Sequence, residues 1–479
     1  MASAQSTANP LAPEWLEVPK DVNAIAGKVW PKNLTRDQNG EVTVGGVTVD
    51  ELANTYGTPL YVIDEDGFKS NAAAVKQALE TAAAKIGTTA KVYYASKAFL
   101  STEIAAWINE LGLSMDVASG GELSAAIAGG IAPERIGFHG NNKSLSEIGR
   151  AVSLGVGAIV IDSEIEIERI ASTAQAQDKV QAVRLRVNTG VHANTHDFLA
   201  TAREDQKFGI ALADVPELVA RIRSDRHLKF LGLHQHVGSQ IFAPEGFIES
   251  SRRLIALHAQ LLAGGPIPAI NLGGGFGINY KPADNAPAVS KVAEAIVDAV
   301  AAECQKLGIA VPELAFEPGR AIAGSSGITL YNVGTIKDVT VTDGAVPAVR
   351  KYVSVDGGMS DNARPALYEA EYHTILASRV SSQPAVLARV VGKHCESGDI
   401  VVRHEYLPAD VSANDLLAVA ATGAYCYSLS SNYNWLPKPP VVAVGNGSSR
   451  VILRGETEAD LFALDARYQA SVTTKNAKG

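Results

Sequence analysis

The chain has 479 residues, 46% hydrophobic and 19% charged, with a formal net charge of −9. Its apolar runs fall short of the ~18 residues of a membrane-spanning helix, and the absence of a lysine or arginine block argues against a nucleic-acid surface. Three cysteines are too few for a disulfide framework, and the N-terminus lacks a secretory signal pattern, so we expect a cytoplasmic protein with a large core.

Residues 1–58 are predicted to form an N-terminal arm and a hairpin. Residues 1–40 are rich in proline, asparagine and alanine and lack a core of their own. Residues 40–49 (GEVTVGGVTV) alternate apolar and polar side chains around a Gly-Gly pair, the pattern of a β-hairpin. Because chain termini often lie close together, we expect this hairpin to pack on a C-terminal domain.

Residues 59–325 are predicted to form a (β/α)8 barrel. After an apolar segment at Pro59–Asp64, short β-branched segments alternate with stretches whose apolar residues recur every three or four positions. The predicted barrel strands are Lys91–Ser96, Leu113–Ser119, Arg135–Gly140, Ala158–Ser163, Ala182–Asn188, Phe230–Gly238, Ala269–Gly275 and Glu313–Gly319. Eight such units over roughly 260 residues match a barrel. The alternative, a doubly wound open sheet, typically has fewer strands and a glycine-rich first turn.

Residues 326–479 are predicted to form a mostly antiparallel β-domain. After Arg320 the helical spacing stops, and short β-branched segments separated by turns take its place. The chain is therefore expected to combine an α/β barrel with a β-domain.

In a β/α barrel the reacting groups lie at the carboxyl ends of the strands. Lys97 directly follows the first strand. Such a lysine is usually a solvated loop residue, and its other use is an amine that bonds to a carbonyl compound. His234 and His236 end the sixth strand and point to one side. They could bind a metal, be satisfied core side chains, or lie flat against a cofactor ring, and their spacing does not separate these possibilities.

The seventh and eighth strands end in groups suited to a phosphorylated ligand. The turn Asn271–Gly277 (NLGGGFG) leaves backbone N–H groups bare and favours a phosphate-binding site over an ordinary tight turn. The next strand ends in Glu317, Pro318, Gly319 and Arg320. Together these features predict pyridoxal 5′-phosphate as the cofactor. This cofactor needs an amine, a face to stack on, a phosphate-binding turn and a partner for its ring nitrogen.

At this point the motifs resemble those of the fold-type III pyridoxal-phosphate decarboxylases. YYASKA, DVASGGE, HQHVGSQ, NLGGGFG, EPGR, RPALY, CESGD and GAY occur in that family's order between about residues 45 and 465. The resemblance implies an alanine-racemase-like two-domain architecture, a homodimer with shared active sites, and pyridoxal 5′-phosphate. Because CESGD is similar to the branch that acts on diaminopimelate, it also implies conversion of meso-2,6-diaminopimelate to L-lysine and carbon dioxide, the last step of lysine biosynthesis.

The resemblance further implies roles toward the cofactor. Lys97 would be the Schiff-base lysine, His236 would stack on the ring, and Glu317 would keep the ring nitrogen protonated. The related racemases place an arginine where Glu317 stands, which argues against racemisation. The other cofactor-binding residues would be Ser239, Gly275, Pro318, Gly319, Arg320 and Tyr425.

The resemblance assigns the substrate-binding and proton-donating residues as well. Cys395, reaching the active site from the partner subunit, would return a proton to the α-carbon, and Glu396 would accept the distal ammonium of the substrate. The distal carboxylate would be bound by Arg320, Arg364 and Tyr368, and Tyr425 would touch both phosphate and substrate. Cys426 receives no role. The polar segment 192–207 is long enough to be a mobile lid.

Three alternatives remain open. The same fold serves decarboxylases of arginine, ornithine or a carboxy-polyamine, although substrates without a second carboxylate would not need Arg364. A metal-dependent hydrolase could use His234 and His236, but it lacks further ligands at the other strand ends, so we expect no metal. A catalytically inert cofactor-binding homologue usually loses the cysteine loop, which is intact here.

Overall fold

The computed structural model describes residues 9–191, 207–342 and 347–469. The chain divides into two compact units: unit 1 comprises Met1–Phe68, Asn279–Asp284 and Ala323–Gly479, and unit 2 comprises Lys69–Ile278 and Asn285–Ile322. The strands, in chain order, are β1 (Leu34–Arg36), β2 (Val42–Val44), β3 (Val47–Thr48), β4 (Leu60–Asp64), β5 (Ala90–Ala95), β6 (Ser114–Val117), β7 (Ile136–Phe138), β8 (Ala158–Ile161), β9 (Gln181–Asn188), β10 (Ile210–Ala211), β11 (Leu228–His234), β12 (Ala269–Asn271), β13 (Glu313–Phe316), β14 (Gly327–Val341), β15 (Ala348–Val355), β16 (Thr374–Leu376), β17 (Ala385–Val391), β18 (Ile400–Pro408), β19 (Leu416–Val419), β20 (Val441–Gly445) and β21 (Ser448–Leu453). The α-helices are α1 (Val49–Tyr56), α2 (Glu65–Lys85), α3 (Thr102–Glu110), α4 (Gly120–Ala128), α5 (Leu145–Leu154), α6 (Glu164–Ala176), α7 (Val215–Ser224), α8 (Glu245–Leu261), α9 (Val289–Leu307), α10 (Arg320–Ala323), α11 (Arg364–Tyr368) and α12 (Glu458–Phe462).

Unit 2 is a closed parallel barrel. Its strands follow the order β5-β6-β7-β8-β9-β11-β12-β13, and β13 pairs with β5 to close the ring, while the short β10 adds to β9. Strands β6, β7 and β8 are buried at every residue, because side chains fill the barrel on one face and helices cover the other. These are the eight predicted strands, so the predicted barrel is confirmed.

Local sequence explains where the barrel helices begin and end. Helix α5 is a clear case: the Ser144 side chain accepts from Glu147 N, and the Glu147 side chain accepts from the Ser144 backbone in return. This capping box satisfies N–H groups that have no partner within the helix. Gly155, with φ of 73°, ends the helix in the left-handed conformation that glycine adopts without strain.

Unit 1 is built around a mostly antiparallel sheet of order β18-β17-β15-β14-β4-β20-β21, with β19 pairing β14 and β16. Only two of its pairings, β15 with β17 and β20 with β4, are parallel among the described residues. Strands β2 and β3 form the predicted hairpin. Val42 N in this hairpin donates to Ala377 O at 2.8 Å, and Gly447 N donates to Gly45 O at 2.8 Å.

Strand β4 lies outside the barrel, contrary to the segment's predicted place in it. All five of its residues are buried, and it pairs antiparallel with β14 and parallel with β20 in unit 1. The unit boundary therefore follows Phe68, whereas the predicted domain boundary lay before Pro59. Hydrophobic pattern could not show this, because a barrel strand and the central strand of another sheet both appear as a continuous apolar run.

Among the described residues, none of the helices combines the length and the apolar composition that a membrane-spanning segment requires.

A buried ion pair links the loop after β7 to helix α6 in unit 2. Lys143 Nζ lies 2.9 Å from Glu166 Oε2, and both side chains are 1% exposed. Lys143 Nζ also donates to Gly140 O at 2.6 Å, and Glu166 accepts from Asp162 N at 2.8 Å. The pair therefore ties two loops at the carboxyl ends of neighbouring barrel strands.

Replacing Lys143 by methionine is expected to destabilise the protein by about 3–5 kcal/mol, because the Glu166 carboxylate would remain buried without its cation. Denaturant unfolding of the variant and the parent measures the difference. The double variant K143M/E166L removes both charges and should be more stable than the single variant. A single variant as stable as the parent would contradict this account.

Candidate active site

Lys97 stands at the carboxyl end of β5, as predicted. A 3₁₀ turn over Ser96–Ala98 follows the strand, and Lys97 is exposed while Ser96 and Ala98 are buried. The turn is fixed against the end of the eighth barrel strand, since Ala95 N donates to Pro318 O at 3.1 Å and a Cβ on Gly319 would lie 3.1 Å from the Ala98 side chain. The amine is thus carried on a short, anchored turn.

Close backbone contacts require glycine in the turn that follows β12. A Cβ on Gly274 would lie 2.0 Å from Glu317 O, and one on Gly275, whose φ is 117°, would lie 2.4 Å from Gly238 O. Only glycine fits such positions. Arg320 Nη2 donates to Ser239 Oγ at 2.9 Å in the same unit. The structure thus packs the turns that carry the predicted phosphate-binding residues Ser239, Gly275 and Arg320 against one another.

Glu317 is held by hydrogen-bond donors from neighbouring strands. His234 Nε2 lies 3.0 Å from Glu317 Oε1, and Asn271 Nδ2 donates to the same oxygen at 2.6 Å. Burial favours the neutral acid, but His234 and His139 lower the pKa of Glu317 well below its ordinary value. The result is an oriented, ionised carboxylate that suits a protonated ring nitrogen.

His236 is separate from this group. Its Nδ1 accepts from Gly274 N at 3.4 Å, which leaves the ring proton on Nε2. Burial, and secondarily Lys97, lowers the pKa of His236 to about 3, so the imidazole is neutral. A neutral ring fixed beside the glycine turn suits stacking on an aromatic cofactor.

His234, one of the two histidines considered as metal ligands, belongs to a cluster that does not include His236. Among the described residues, the group whose ligand atoms lie within 4.8 Å of one another is His139, His234 and Glu317. His236 is not part of it. Because His234 already contacts Glu317, the observed arrangement supports a hydrogen-bonded carboxylate rather than ligation by His234 and His236.

Two further residues of the site, the buried Asp116 and the half-buried His139, were not predicted from the sequence. His139 Nε2 lies 3.4 Å from Glu317 Oε1 and 3.1 Å from Asp116 Oδ1. Burial lowers the pKa of His139 to about 4, whereas burial, and then Glu317, raises the pKa of Asp116. Their positions in the sequence could have indicated that they belong to the site, since Asp116 lies in β6 and His139 directly follows β7.

Unit 1 carries two of the three residues predicted to bind the distal carboxylate, Arg364 and Tyr368, whereas Arg320 lies in unit 2. Arg364 and Tyr368 are the first and last residues of α11, but Arg364 is only 7% exposed while Tyr368 is 64% exposed. Tyr425 lies in a turn after β19 with a left-handed φ of 63°.

Cys395 and Glu396 lie in the loop between β17 and β18. Cys395 is exposed, and its backbone N–H donates to Asn434 Oδ1 at 3.2 Å. Within the described residues, no hydrogen bond or ion pair joins Cys395 or Glu396 to Arg364 or Tyr368. The exposed thiol is therefore available to a partner molecule. The expected lid falls on residues 192–206, outside the described residues, and on Lys207.

The residues of unit 2 fit pyridoxal 5′-phosphate. Lys97 supplies an exposed amine, and Glu317 supplies an ionised partner for a ring nitrogen. The Gly273–Gly275 turn consists of three glycines at which a Cβ would collide with neighbouring backbone carbonyls, so its N–H groups are not covered by side chains of the turn. The neutral His236 ring completes the set. Each part of the cofactor that needs a protein group has one in this unit.

Comparisons with known proteins agree with this chemistry. The family model "Pyridoxal-dependent decarboxylase, pyridoxal binding domain" matches residues 72–324. The diaminopimelate decarboxylase of Mycobacterium bovis is 51% identical over 451 residues, covering 92% of this chain and 99% of its own length. That of Bacillus subtilis is 40% identical over 441 residues, covering 91% and 98%.

Solved structures give the same picture. The diaminopimelate decarboxylase of M. jannaschii in complex with L-lysine has a TM-score of 0.84 and 31% identity, covering 91% of this chain and 98% of its own. A lysine/ornithine decarboxylase from Vibrio vulnificus has a TM-score of 0.68 and 18% identity, covering 84% and 99%, which shows a shared fold alone.

Proposed function

We infer that this chain, which belongs to the diaminopimelate decarboxylase family, converts meso-2,6-diaminopimelate to L-lysine and carbon dioxide with pyridoxal 5′-phosphate, the last step of lysine biosynthesis. The observation that supports this type of reaction is the state of Glu317, which is an ionised carboxylate held by His234 and Asn271. It would keep a ring nitrogen protonated, as decarboxylation requires.

When bound, pyridoxal phosphate withdraws electrons from the substrate α-carbon and thereby favours the loss of carbon dioxide. Lys97 would hold the aldehyde end of the cofactor, His236 would lie against its ring, and Glu317 would accept a hydrogen bond from the protonated ring nitrogen. The phosphate would be bound by Ser239 Oγ, by Tyr425, and by the backbone of Gly275 and of residues 317–320, since bare N–H groups in a glycine turn form an anion site.

Substrate recognition falls to residues that present the opposite charge. Arg320 and Arg364 bind the distal carboxylate through planar guanidinium groups, which pair with both of its oxygens. Tyr368 and Tyr425 add hydroxyl groups, and Glu396 accepts the distal ammonium. The proposed cofactor-binding residues other than Tyr425 lie in unit 2, and the substrate-binding residues other than Arg320 lie in unit 1.

The protein acts as a cytoplasmic homodimer with shared active sites in this proposal. Cys395 of one subunit donates the proton that replaces carbon dioxide on the α-carbon held by the other. Its exposure supports this role, because a thiol that serves a neighbouring chain has to lie at the surface.

Replacing Arg364 by alanine is expected to lower kcat/KM for diaminopimelate about 100-fold, because a buried guanidinium paired with a carboxylate contributes several kcal/mol. Carbon dioxide release from diaminopimelate, ornithine and arginine measures both activity and substrate choice. Arg454→Ala is the control, since that side chain is 70% exposed and pairs with Asp460. Unchanged activity of the Arg364 variant toward diaminopimelate, or preferred turnover of ornithine by the parent, would overturn the substrate assignment.

A further inference from the structure

Arg364 is a buried charge without a counter-ion in unit 1. It is 7% exposed, and no carboxylate of the described residues lies within the 4.0 Å ion-pair distance of its guanidinium. Arg379 of the same unit is more exposed, at 34%, and yet contacts Asp410 at 3.1 Å and Asp415 at 2.7 Å. Burying an ion without an opposite charge costs several kcal/mol. A negatively charged ligand bound to Arg364 would offset this cost.

Two tyrosines surround Arg364 in place of an acid. Arg364 Nη1 donates to Tyr372 Oη at 2.5 Å. The guanidinium carbon lies 4.6 Å from the centroid of the Tyr280 ring and 5.5 Å from that of Tyr372. The two rings meet edge to face, 5.3 Å apart at 83°. One hydrogen bond and the flanking aromatic rings therefore restrict the guanidinium without supplying a negative charge.

The hydroxyl of Tyr372 is held in turn by a buried cysteine. It is 1% exposed, and its Oη lies 3.5 Å from Sγ of the fully buried Cys426. Cys426 Sγ in turn donates to Asn362 Oδ1 at 3.6 Å. Burial, and then Cys426, raises the pKa of Tyr372 well above its ordinary value, so the phenol is neutral. Cys426, for which no role could be predicted from the sequence, thus supports the hydroxyl that orients Arg364.

We propose that Tyr372 and Tyr280 are specificity-determining positioning residues, which fix Arg364 for the distal carboxylate of the substrate while leaving its charge uncompensated. This inference rests on the proposed function. An aspartate or glutamate in their place would orient Arg364 equally well, but it would compete with the substrate carboxylate for the same N–H groups. Neutral partners avoid this competition, so that a ligand carrying a carboxylate gains affinity over one that lacks it.

The test compares two ligands that differ by one carboxylate. L-lysine keeps the carboxylate that Arg364 would bind, and cadaverine is the same diamine without it. Binding of each to the cofactor-loaded protein is followed by the change in cofactor absorbance. Tyr372→Phe keeps the ring but removes the hydroxyl, and we expect it to weaken L-lysine binding about tenfold with cadaverine binding unchanged. Tyr280→Leu removes the stacked ring and should shift the same ratio in the same direction.

The control is Tyr406→Phe, in which another buried tyrosine of unit 1 loses a hydroxyl that accepts from Asn9 N. It should leave both affinities unchanged. Equal losses for L-lysine and cadaverine in the Tyr372 variant would indicate a merely structural role, and no loss for L-lysine would remove the role altogether. Either result overturns the inference. Failure of the proposed function is seen separately, as absence of carbon dioxide release from diaminopimelate by the parent protein.

Discussion

Lys97→Ala is expected to lower the rate of decarboxylation by about 10⁴-fold or more, since a covalent catalytic amine has no substitute. Lys97 is exposed on the anchored turn after β5, where an amine can reach a ligand at the mouth of the barrel. The measurements are carbon dioxide release and the visible absorbance of the protein loaded with pyridoxal phosphate. Borohydride reduction followed by peptide mapping identifies the residue that carries the cofactor.

A matched variant separates the covalent bond from the charge. Lys97→Arg keeps a cation at the same position but cannot form the bond, so it should be as inactive as the alanine variant. Lys85→Ala serves as the control, because Lys85 is 53% exposed and pairs with Glu294 on the helical surface. Cofactor that remains covalently attached to the Lys97→Ala protein would contradict the assignment.

Cys395→Ala is expected to lower product formation by about 10²–10³-fold, the range of a lost general acid. Because this thiol is proposed to serve the other subunit, mixing the Lys97→Ala and Cys395→Ala proteins after dissociation should restore activity. Random reassociation makes half of the dimers mixed, and each mixed dimer has one whole site of two, so about a quarter of the parent activity should return. Steady-state assays of the mixture measure this.

Cys304→Ala is the control for the cysteine variant, since Cys304 is buried in α9. It should keep the parent activity. If the mixed proteins stay inactive although they form dimers by light scattering, the site is complete within one chain, and the shared-site proposal falls.

The barrel could be predicted from the sequence because its signal is local. Each strand is a short apolar run followed by a helix with one apolar face, and Lys97 and Glu317 could be placed because both lie at strand ends. The family relationship expected from the motifs is confirmed. Strand β4 was misplaced because its partners β14 and β20 are distant in sequence, and no local pattern records which sheet a buried strand joins.

The residues that support the site were the least predictable part. His139 contacts both Asp116 and Glu317, and the three residues lie in or directly after three different strands. In the sequence, each of them alone is indistinguishable from a satisfied core residue. Tyr372 and Tyr280 meet Arg364 although Tyr280 is far from it in the sequence. Such contacts depend on tertiary packing, which a single sequence does not report.

The path of the chain has a consequence for dissecting the molecule. Residues Asn279–Asp284 belong to unit 1 although unit 2 flanks them on both sides, and β4 belongs to unit 1 although the barrel follows it. A fragment cut at residues 59 and 325 would retain β4 with its five buried residues but remove both of its neighbouring strands, which leaves two bare edges open to aggregation. Neither unit is a continuous stretch of polypeptide. A fragment with one start and one end therefore cannot contain the whole of one unit without part of the other.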